Sequence, residues 1–213
     1  MNQTKQYIQS LYEDKDSLIQ SMQQYAEEHG IPIMEKDGIE FLKQLIRIHK
    51  PKSIVEIGAA IGYSAIQMAS SNSEVKVHTV ERDEQRYHDA IYFIKQAGLE
   101  ARINITHDNA INWLNQFSND LHIDFVFVDA AKGEYKDYVE KIDPFLKPGS
   151  LLVVDNVLFK GYVSKEKQEN RRFVKIGDKI ASFNEWLYKH PHYTTTIVET
   201  GDGVAIAIKT NEE

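Results

Sequence analysis

The sequence predicts an α/β protein built on a doubly wound, mostly parallel sheet. Short apolar runs alternate with amphipathic helical patterns through the middle of the chain, which is typical of βαβ units. Two of these runs, 125–128 and 151–154, are apolar at every position, so both faces of the strands must be covered. A glycine-containing turn at 200–203 separates the last two apolar runs and predicts a closing antiparallel pair.

The predicted elements follow one another without a linker, so we expect a single domain spanning residues 1–213. Residues 1–50 form an N-terminal helical extension, with helical spacing over 2–28, a break near 14–16 and a further helix at about 37–49. Predicted strands lie at 53–57, 75–81, 102–107, 123–129, 150–155, 193–199 and 204–209. Predicted helices between them lie at 63–70, 84–97, 110–117, 135–145 and about 171–189.

Composition narrows the class of protein. The chain has 213 residues and no cysteine, which excludes disulfides, thiolate metal sites and a cysteine nucleophile. No run approaches the roughly 18 apolar residues of a membrane span, and no apolar signal core opens the chain, so we expect a cytoplasmic protein without a membrane partner. The net charge of −7 argues against indiscriminate binding of nucleic acid.

The turn after the first predicted strand carries two glycines, in the stretch EIGAAIGYS at 56–64. Gly58 and Gly62 would let the backbone approach a ligand, and the next helix would present free N–H groups to it. The spacing lacks the three-glycine G-x-G-x-x-G turn, which counts against NAD or FAD. An ordinary βα turn also carries glycines, and the pair alone leaves that alternative open.

Acidic residues end the second and third predicted strands. Glu81 lies 23 residues after Gly58, where a carboxylate can accept hydrogen bonds from both hydroxyls of a ribose; a solvated loop carboxylate is the alternative. Asp108 is placed to meet an adenine amino edge, and it is equally placed to cap the helix that follows.

Oxygen-bearing side chains also follow the fourth and fifth predicted strands, at Asp129, Asp155 and Asn156. Adjacent parallel strands lie about 4.8 Å apart, so these side chains converge at the carboxyl edge of the sheet. Two carboxylates and an amide carbonyl suit Mg²⁺ or another hard divalent cation. Taken singly, the same residues are also expected in a helix cap and in a turn.

Lys132 follows Asp129 by three residues, at the mouth of the same crevice. A nearby dication disfavours its ammonium form, so Lys132 is a candidate general base; a solvated lysine is the alternative. The eight histidines form no convincing site, since His190 and His192 are the only close pair and lie in a loop.

Four stretches together resemble a known family: VEIGAAIGYS at 55–64, ERD at 81–83, FVDAAK at 127–132 and GSLLVVDN at 149–156. The whole chain resembles the cation-dependent, catechol-type class I O-methyltransferases that use S-adenosylmethionine. The resemblance implies a seven-stranded sheet with a reversed last strand. It implies the following site: Glu56, Gly58, Gly62 and Ser64 at the methionine end of the cofactor, Glu81 at the ribose, Asp129, Asp155 and Asn156 on Mg²⁺, and Lys132 as the base. Asp129 and Asp108 complete the predicted cofactor contacts, although the family's Gly-Asp-Ala is His107-Asp108-Asn109 here.

Within the family, length and sequence most resemble the bacterial tRNA 5-hydroxyuridine methyltransferases. Segment 160–179 carries seven basic and three acidic residues, a net charge of +4 in an acidic protein. A basic loop beside the pocket is placed to bind phosphates near a target base, and Tyr162 and Phe173 to stack on one. A solvated lysine-rich surface is the alternative. The candidate RNA-binding residues are Lys160, Lys165, Lys167, Arg171, Arg172 and Lys175.

The predicted reaction is therefore Mg²⁺-dependent O-methylation of 5-hydroxyuridine at the wobble position of tRNA, giving 5-methoxyuridine. The expected partners are the anticodon region of tRNA and a second copy of the chain, packed through the N-terminal helices. The nearest alternative is the same chemistry on a small catechol-like molecule. An NAD-dependent oxidoreductase and a non-catalytic RNA-binding module are the rivals from other classes.

Overall fold

The N-terminal extension is helical, as predicted. A computed structural model of the chain describes residues 3–12, 16–118 and 121–210. Helices α1 (Gln3–Leu11), α2 (Ser17–Glu28) and α3 (Lys36–His49) come first. The predicted break near 14–16 falls mostly on residues outside the described ranges, but Asp16 caps α2 by accepting from the Leu18 amide at 2.8 Å.

A seven-stranded sheet forms the centre of the fold, and the predicted fold class is confirmed. Its strands are β1 (Ser53–Ile57), β2 (Lys76–Glu81), β3 (Ile103–His107), β4 (Ile123–Val128), β5 (Leu146–Val154), β6 (Tyr193–Val198) and β7 (Val204–Lys209). Their spatial order is β3-β2-β1-β4-β5-β7-β6. The first five strands pair in parallel, and β7 runs antiparallel to both of its neighbours.

Helices cover both faces of the sheet. They are α4 (Tyr63–Ser71), α5 (Glu84–Gln96), α6 (Ala110–Leu114), α7 (Tyr135–Ile142) and α8 (Arg171–Tyr188). Helix α7 ends earlier than predicted because Pro144 follows it, and residues 143–145 form a 3-10 turn instead.

Strand β4 shows why the sheet needs two covered faces. Phe125 and Phe127 belong to the apolar cluster on one face, and Val126 and Val128 belong to the cluster on the other. All four side chains are fully buried, and each contributes about 1.5–3 kcal/mol by leaving water. The continuous apolar run therefore reports burial on both sides, as the sequence predicted.

The topology fixes where a ligand site can lie. The order β3-β2-β1-β4-β5 changes direction between β1 and β4, and open α/β sheets bind ligands in the crevice at such a point. Within the described ranges, no helix is long and apolar enough to cross a membrane.

Candidate active site

A cavity of about 510 Å³ opens at the carboxyl ends of the parallel strands. It lies at the change in strand order, and nine of the sixteen predicted site residues line it. These nine are Gly58, Ser64, Glu81, Asp108, Asp129, Lys132, Asp155, Asn156 and Lys160.

Gly58 brings the ends of the two central strands together. Its φ is +101°, a region that side chains rarely adopt, and a Cβ built there would lie 2.2 Å from the carbonyl oxygen of Asp129. Gly62 has a different role: its φ is +80°, and its Cβ direction faces Ala90 of α5 at 3.4 Å. Gly62 therefore starts α4 and packs against a neighbouring helix, and it is not among the cavity-lining residues.

Glu56 lies behind the cavity wall and not on it. Its side chain is fully buried, and the Ser64 hydroxyl, which does line the cavity, donates a hydrogen bond to it. Burial raises the pKa of Glu56 to about 7, against the opposing effect of the Ser64 hydrogen bond. Within the described ranges its second oxygen, Oε2, has no hydrogen-bond partner. Any contact of Glu56 with a ligand would pass through Ser64.

Glu81 is held by the backbone around it. Its Oε2 accepts from the Ala60 amide at 2.8 Å, and its Oε1 accepts from the Arg82 and Asp83 amides at 2.9 Å each. The carboxylate is nearly buried, at 8% exposure, yet it lines the cavity. A carboxylate has about four lone-pair sites, so this arrangement fixes its orientation and leaves room for a hydroxyl donor.

The capping role considered for Asp108 belongs to its neighbour. The Asn109 side chain caps α6 by accepting from the Ile111 amide at 2.9 Å. Asp108 instead accepts from the Asn109 amide at 2.7 Å and from Gln116 Nε2 at 3.1 Å. Its carboxylate is thereby held at the cavity wall, where a ligand's amino group can meet it.

Asp129 and Asp155 follow adjacent strands and stand side by side. Each continues the sheet by one backbone hydrogen bond, from the Asp129 amide to Ile57 and from the Asp155 amide to Val128, both 3.0 Å long. Burial raises the pKa of each carboxyl; the Asp129 charge raises that of Asp155 further, and Lys132 opposes both effects. Two close carboxylates with raised pKa values favour a bound cation.

Lys132 is part of this cluster and not a solvated lysine. Its ammonium donates to Oδ1 of Asn156, the residue after Asp155, and lies 5.9 Å from the centroid of the Phe159 ring. Asn156 has a φ of +57°, and its backbone amide donates to Oδ1 of Asp155 at 2.7 Å. The amide oxygen predicted to bind a metal thus faces a positive charge.

The donor chemistry of this cluster fits a hard divalent cation. It offers two carboxylates and one amide oxygen, all of the ligand type that Mg²⁺ prefers. Over residues 3–12, 16–118 and 121–210, no group of three His, Asp or Glu side chains is arranged to hold a metal ion. A cation bound to the two carboxylates would therefore need the Asn156 amide oxygen and oxygens of water or ligand to complete its coordination.

The basic segment begins at the cavity rim. Lys160 lines the cavity, and the predicted Lys165, Lys167, Arg171, Arg172 and Lys175 are exposed along the loop and the first turns of α8. Tyr162 and Phe173 pack against each other at 5.5 Å between ring centroids, and against Phe159 at 5.8 and 5.7 Å. Only Phe159 of these three rings lines the cavity.

Several lining residues were missed from the sequence. Phe159 and Tyr138 lie in segments that the sequence assigned to a loop and a helix, with no spacing signal that marked them. Asp202 lies in the turn before β7. The sequence of that turn predicted a hairpin and gave no sign that one of its side chains lines the cavity. Met34 and Glu35 reach the cavity from the segment between α2 and α3.

Comparisons with known proteins agree with this geometry. Residues 9–210 match the family model described as O-methyltransferase. The caffeoyl-CoA O-methyltransferase of Populus kitakamiensis is 32% identical over 190 residues, covering 85% of this chain and 80% of that protein. The flavonoid 3',5'-methyltransferase of Vitis vinifera is 31% identical over 173 residues, covering 78% of this chain and 74% of that protein.

Solved structures give the same family. A caffeoyl-CoA O-methyltransferase candidate from Staphylococcus aureus is 36% identical, with a TM-score of 0.91 over 98% of this chain and 100% of that one. An O-methyltransferase from Bacillus cereus, in complex with SAH, is 27% identical, with a TM-score of 0.83 over 96% of each chain. The chain therefore belongs to the O-methyltransferase family.

Proposed function

We propose that this chain is an S-adenosylmethionine-dependent O-methyltransferase that methylates the 5-hydroxyl of 5-hydroxyuridine at the wobble position of tRNA, giving 5-methoxyuridine. The family supplies the reaction type, and the Bacillus cereus relative in complex with SAH supports the methyl donor. The observation that carries the acceptor is the basic segment, which starts at the cavity with Lys160 and continues, exposed, through the following loop into α8.

The donor would occupy the side of the cavity formed by β1, β2 and β3. Gly58 lets the backbone pass close to the methionine end, and Ser64, fixed by Glu56, lines the same end. Glu81 has its carboxylate oriented by three amides and is placed to receive the ribose hydroxyls. Asp108, on the cavity wall, would meet the adenine end of the donor.

Asp129, Asp155 and Asn156 would hold Mg²⁺ at the other side. When bound, the cation would stabilise the ionised form of an acceptor hydroxyl. The acceptor oxygen would attack the sulfonium methyl group in line, forming the new carbon–oxygen bond as the methyl carbon–sulfur bond breaks and S-adenosylhomocysteine leaves. Most of the rate would come from holding both reactants in that geometry.

Lys132 is the residue we assign to the acceptor proton. Its Nζ already lies within hydrogen-bond range of the Asn156 side chain, inside the cluster that faces the acceptor. An amine in this position is within reach of a proton released by a bound acceptor hydroxyl, and lysine is one of the side chains that serve as general bases.

The start of α8 supports contact with phosphates. Its first turn has no acidic residue and opens with Arg171 and Arg172, although a helix N-terminus already carries partial positive charge. Two arginines there are unfavourable for the isolated helix and favourable once a phosphate binds. Lys175 adds a third exposed cation one turn later.

A small catechol-like acceptor is the second candidate. The two plant relatives, a caffeoyl-CoA O-methyltransferase and a flavonoid 3',5'-methyltransferase, favour it for this chain. Both acceptors present two neighbouring oxygens, and the Asp129–Asp155–Asn156 cluster would serve either.

A methyl-transfer assay separates the two candidates. Purified protein, labelled S-adenosylmethionine and Mg²⁺ are incubated with tRNA from cells that lack this gene, and in parallel with a catechol. We expect label in tRNA, recovered as 5-methoxyuridine after digestion and lost when a chelator is added. Label in the catechol alone would reject the tRNA assignment and retain the chemistry.

A matched pair of variants tests the basic segment. Replacing Arg171 and Arg172 by alanine should weaken tRNA binding at least tenfold and flatten its dependence on salt. The control replaces Lys95 and Lys147, two exposed lysines outside the cavity, and removes the same charge. Equal losses in both variants would mean that net charge alone governs binding.

The remaining expectations are a single domain over residues 1–213, a cytoplasmic location and a homodimer. Tyr7 and Leu11 on α1 and Ile48 on α3 are exposed by 65%, 60% and 69%, which supports a packing role for the N-terminal helices. Light scattering of the purified chain measures the mass directly, and a monomer at micromolar concentration would reject the dimer.

A further inference from the structure

The turn between β6 and β7 places one acidic side chain in the cavity. This side chain is Asp202, which lines the same cavity as Asp129, Lys132, Asp155 and Asn156. The Asp202 carboxylate lies close enough to Asp155 and Lys132 for their charges to interact, which puts it beside the proposed acceptor position. None of the donor-side or cation-side roles described above uses it.

The backbone of this turn is fixed from two directions. The Val157 and Leu158 amides donate to the carbonyls of Gly203 and Asp202, both at 3.0 Å. On the other side, the Gly201 amide donates to Asp37 of α3 at 3.0 Å. Asp202 is therefore held between the segment that follows the Asp155–Asn156 pair and the N-terminal extension.

Close packing removes the remaining freedom of the turn. Gly203 has a φ of +85°, and a Cβ built on it would lie 2.3 Å from the Leu158 side chain. The turn thus fits the loop after β5 with no spare space. A side chain carried by such a turn is held in place before any ligand arrives, which is what a positioning residue requires.

The Asp202 carboxylate has one oxygen engaged and one available. Its Oδ1 accepts from the Lys160 amide at 2.5 Å. Among the described residues, no hydrogen bond reaches Oδ2. The charged groups near Asp202 are basic Lys5, Lys132 and Lys160 and acidic Glu35 and Asp155. Burial raises the pKa of the Asp202 carboxyl. A half-buried carboxylate oxygen in a cavity is stabilised when a donor binds it.

We propose that Asp202 is a substrate-positioning residue whose available oxygen accepts a hydrogen bond from an N–H or O–H group adjoining the acceptor's two neighbouring oxygens. The inference rests on the proposed acceptor chemistry, in which those two oxygens face Asp129, Asp155 and Asn156. In a 5-hydroxyuracil ring the third group is N3–H, next to O4. In a ring with three adjacent hydroxyls it is the third hydroxyl, so both rings present the same row of three polar positions.

The test is the substitution Asp202→Asn. An asparagine keeps an oxygen for the Lys160 amide and replaces the available oxygen by an NH₂ donor, which repels the acceptor's donor group. We expect kcat/KM to fall about 10- to 100-fold for 5-hydroxyuridine tRNA and for pyrogallol, which has three adjacent hydroxyls. For catechol, which lacks the third donor, we expect a fall of less than about twofold. Binding of S-adenosylmethionine, measured by calorimetry, should not change.

Asp137→Asn is the matched control, because Asp137 is exposed on α7 and takes no part in the site. It should leave all three acceptors unaffected. An equal loss on pyrogallol and catechol in Asp202→Asn, or no loss on either, would overturn the inference and indicate a role confined to the turn. A selective loss on pyrogallol together with no methylation of tRNA would reject the tRNA assignment and keep the role of Asp202. Absence of wild-type transfer to all three acceptors would overturn both proposals.

Discussion

Replacing Gly58 by alanine should force apart the two central strands at the cavity. The added Cβ would lie 2.2 Å from the Asp129 carbonyl oxygen, whereas real Cβ atoms essentially never approach closer than 3.0 Å, so one of the two strand ends must move by about 0.8 Å. The φ of +101° adds strain of roughly 1–3 kcal/mol, and overpacking adds about 1–3 kcal/mol more.

The expected free-energy loss is therefore roughly 2–6 kcal/mol. For a domain of this size each kcal/mol lowers Tm by about 2–4 °C, so we expect a fall of about 5–20 °C. Because Asp129 moves with its carbonyl, we also expect methyl transfer to fall about 100-fold, which is typical of a 1 Å misplacement. Calorimetry measures the first effect, and a labelled methyl-transfer assay at 20 °C measures the second.

Gly149→Ala separates strain from crowding. Gly149 has a similar φ of +91°, lies in β5 away from the cavity, and a Cβ there would meet nothing within 4 Å. This variant should lose only the strain energy and keep full activity. If Gly58→Ala melted at the same temperature as Gly149→Ala and retained wild-type turnover, the close approach of the Asp129 carbonyl would have no energetic weight, and the reasoning would be refuted.

Three further predictions follow from the cavity and its rim. Asp129→Ala should abolish turnover with nearly unchanged Tm, because it removes one of two carboxylates that repel each other; normal turnover after removal of metal would contradict the cation role. The difference in unfolding free energy between Glu56→Gln and the wild type should shift in favour of the variant as pH rises, because glutamine does not ionise. The pKa of Glu56 is about 7 in the folded protein and 4.5 for a free glutamate, so the wild type loses roughly 3 kcal/mol of stability between those pH values. Urea unfolding at pH 5 and at pH 8 measures the difference. Asn170→Ala should destabilise α8 by about 1 kcal/mol, seen as a small fall in Tm, because its side chain accepts from the Arg172 and Phe173 amides at 3.0 and 3.2 Å. An unchanged Tm would mean that water replaces the cap.

The sequence predicted those features that depend on neighbours along the chain or on strand direction. Asp129 and Asp155 were expected to meet because parallel strands end at one edge of the sheet, and they do. The N-terminal extension, the alternating strands and the final hairpin follow from periodicity and turn residues in the same way. These patterns are local, so a single sequence contains them.

Features that depend on distant contacts were not predicted. Asp202 reaches the cavity only because Gly203 packs on Leu158 and Gly201 binds Asp37, and no spacing encodes those contacts. Glu56 was expected to line the cofactor site, but the strand directs its side chain into the interior, behind Ser64. Tertiary packing decided both positions.

The position of β7 between β5 and β6 sets an order of assembly. Strand β6 is synthesised before β7, yet its only hydrogen-bonded neighbour within the described sheet is β7. It cannot join the sheet until β7 has been synthesised and inserted beside β5. A growing chain can therefore complete the donor side of the cavity, from β1, β2 and β3, well before the turn that carries Asp202 arrives. Acceptor specificity would be the last property that the nascent protein acquires.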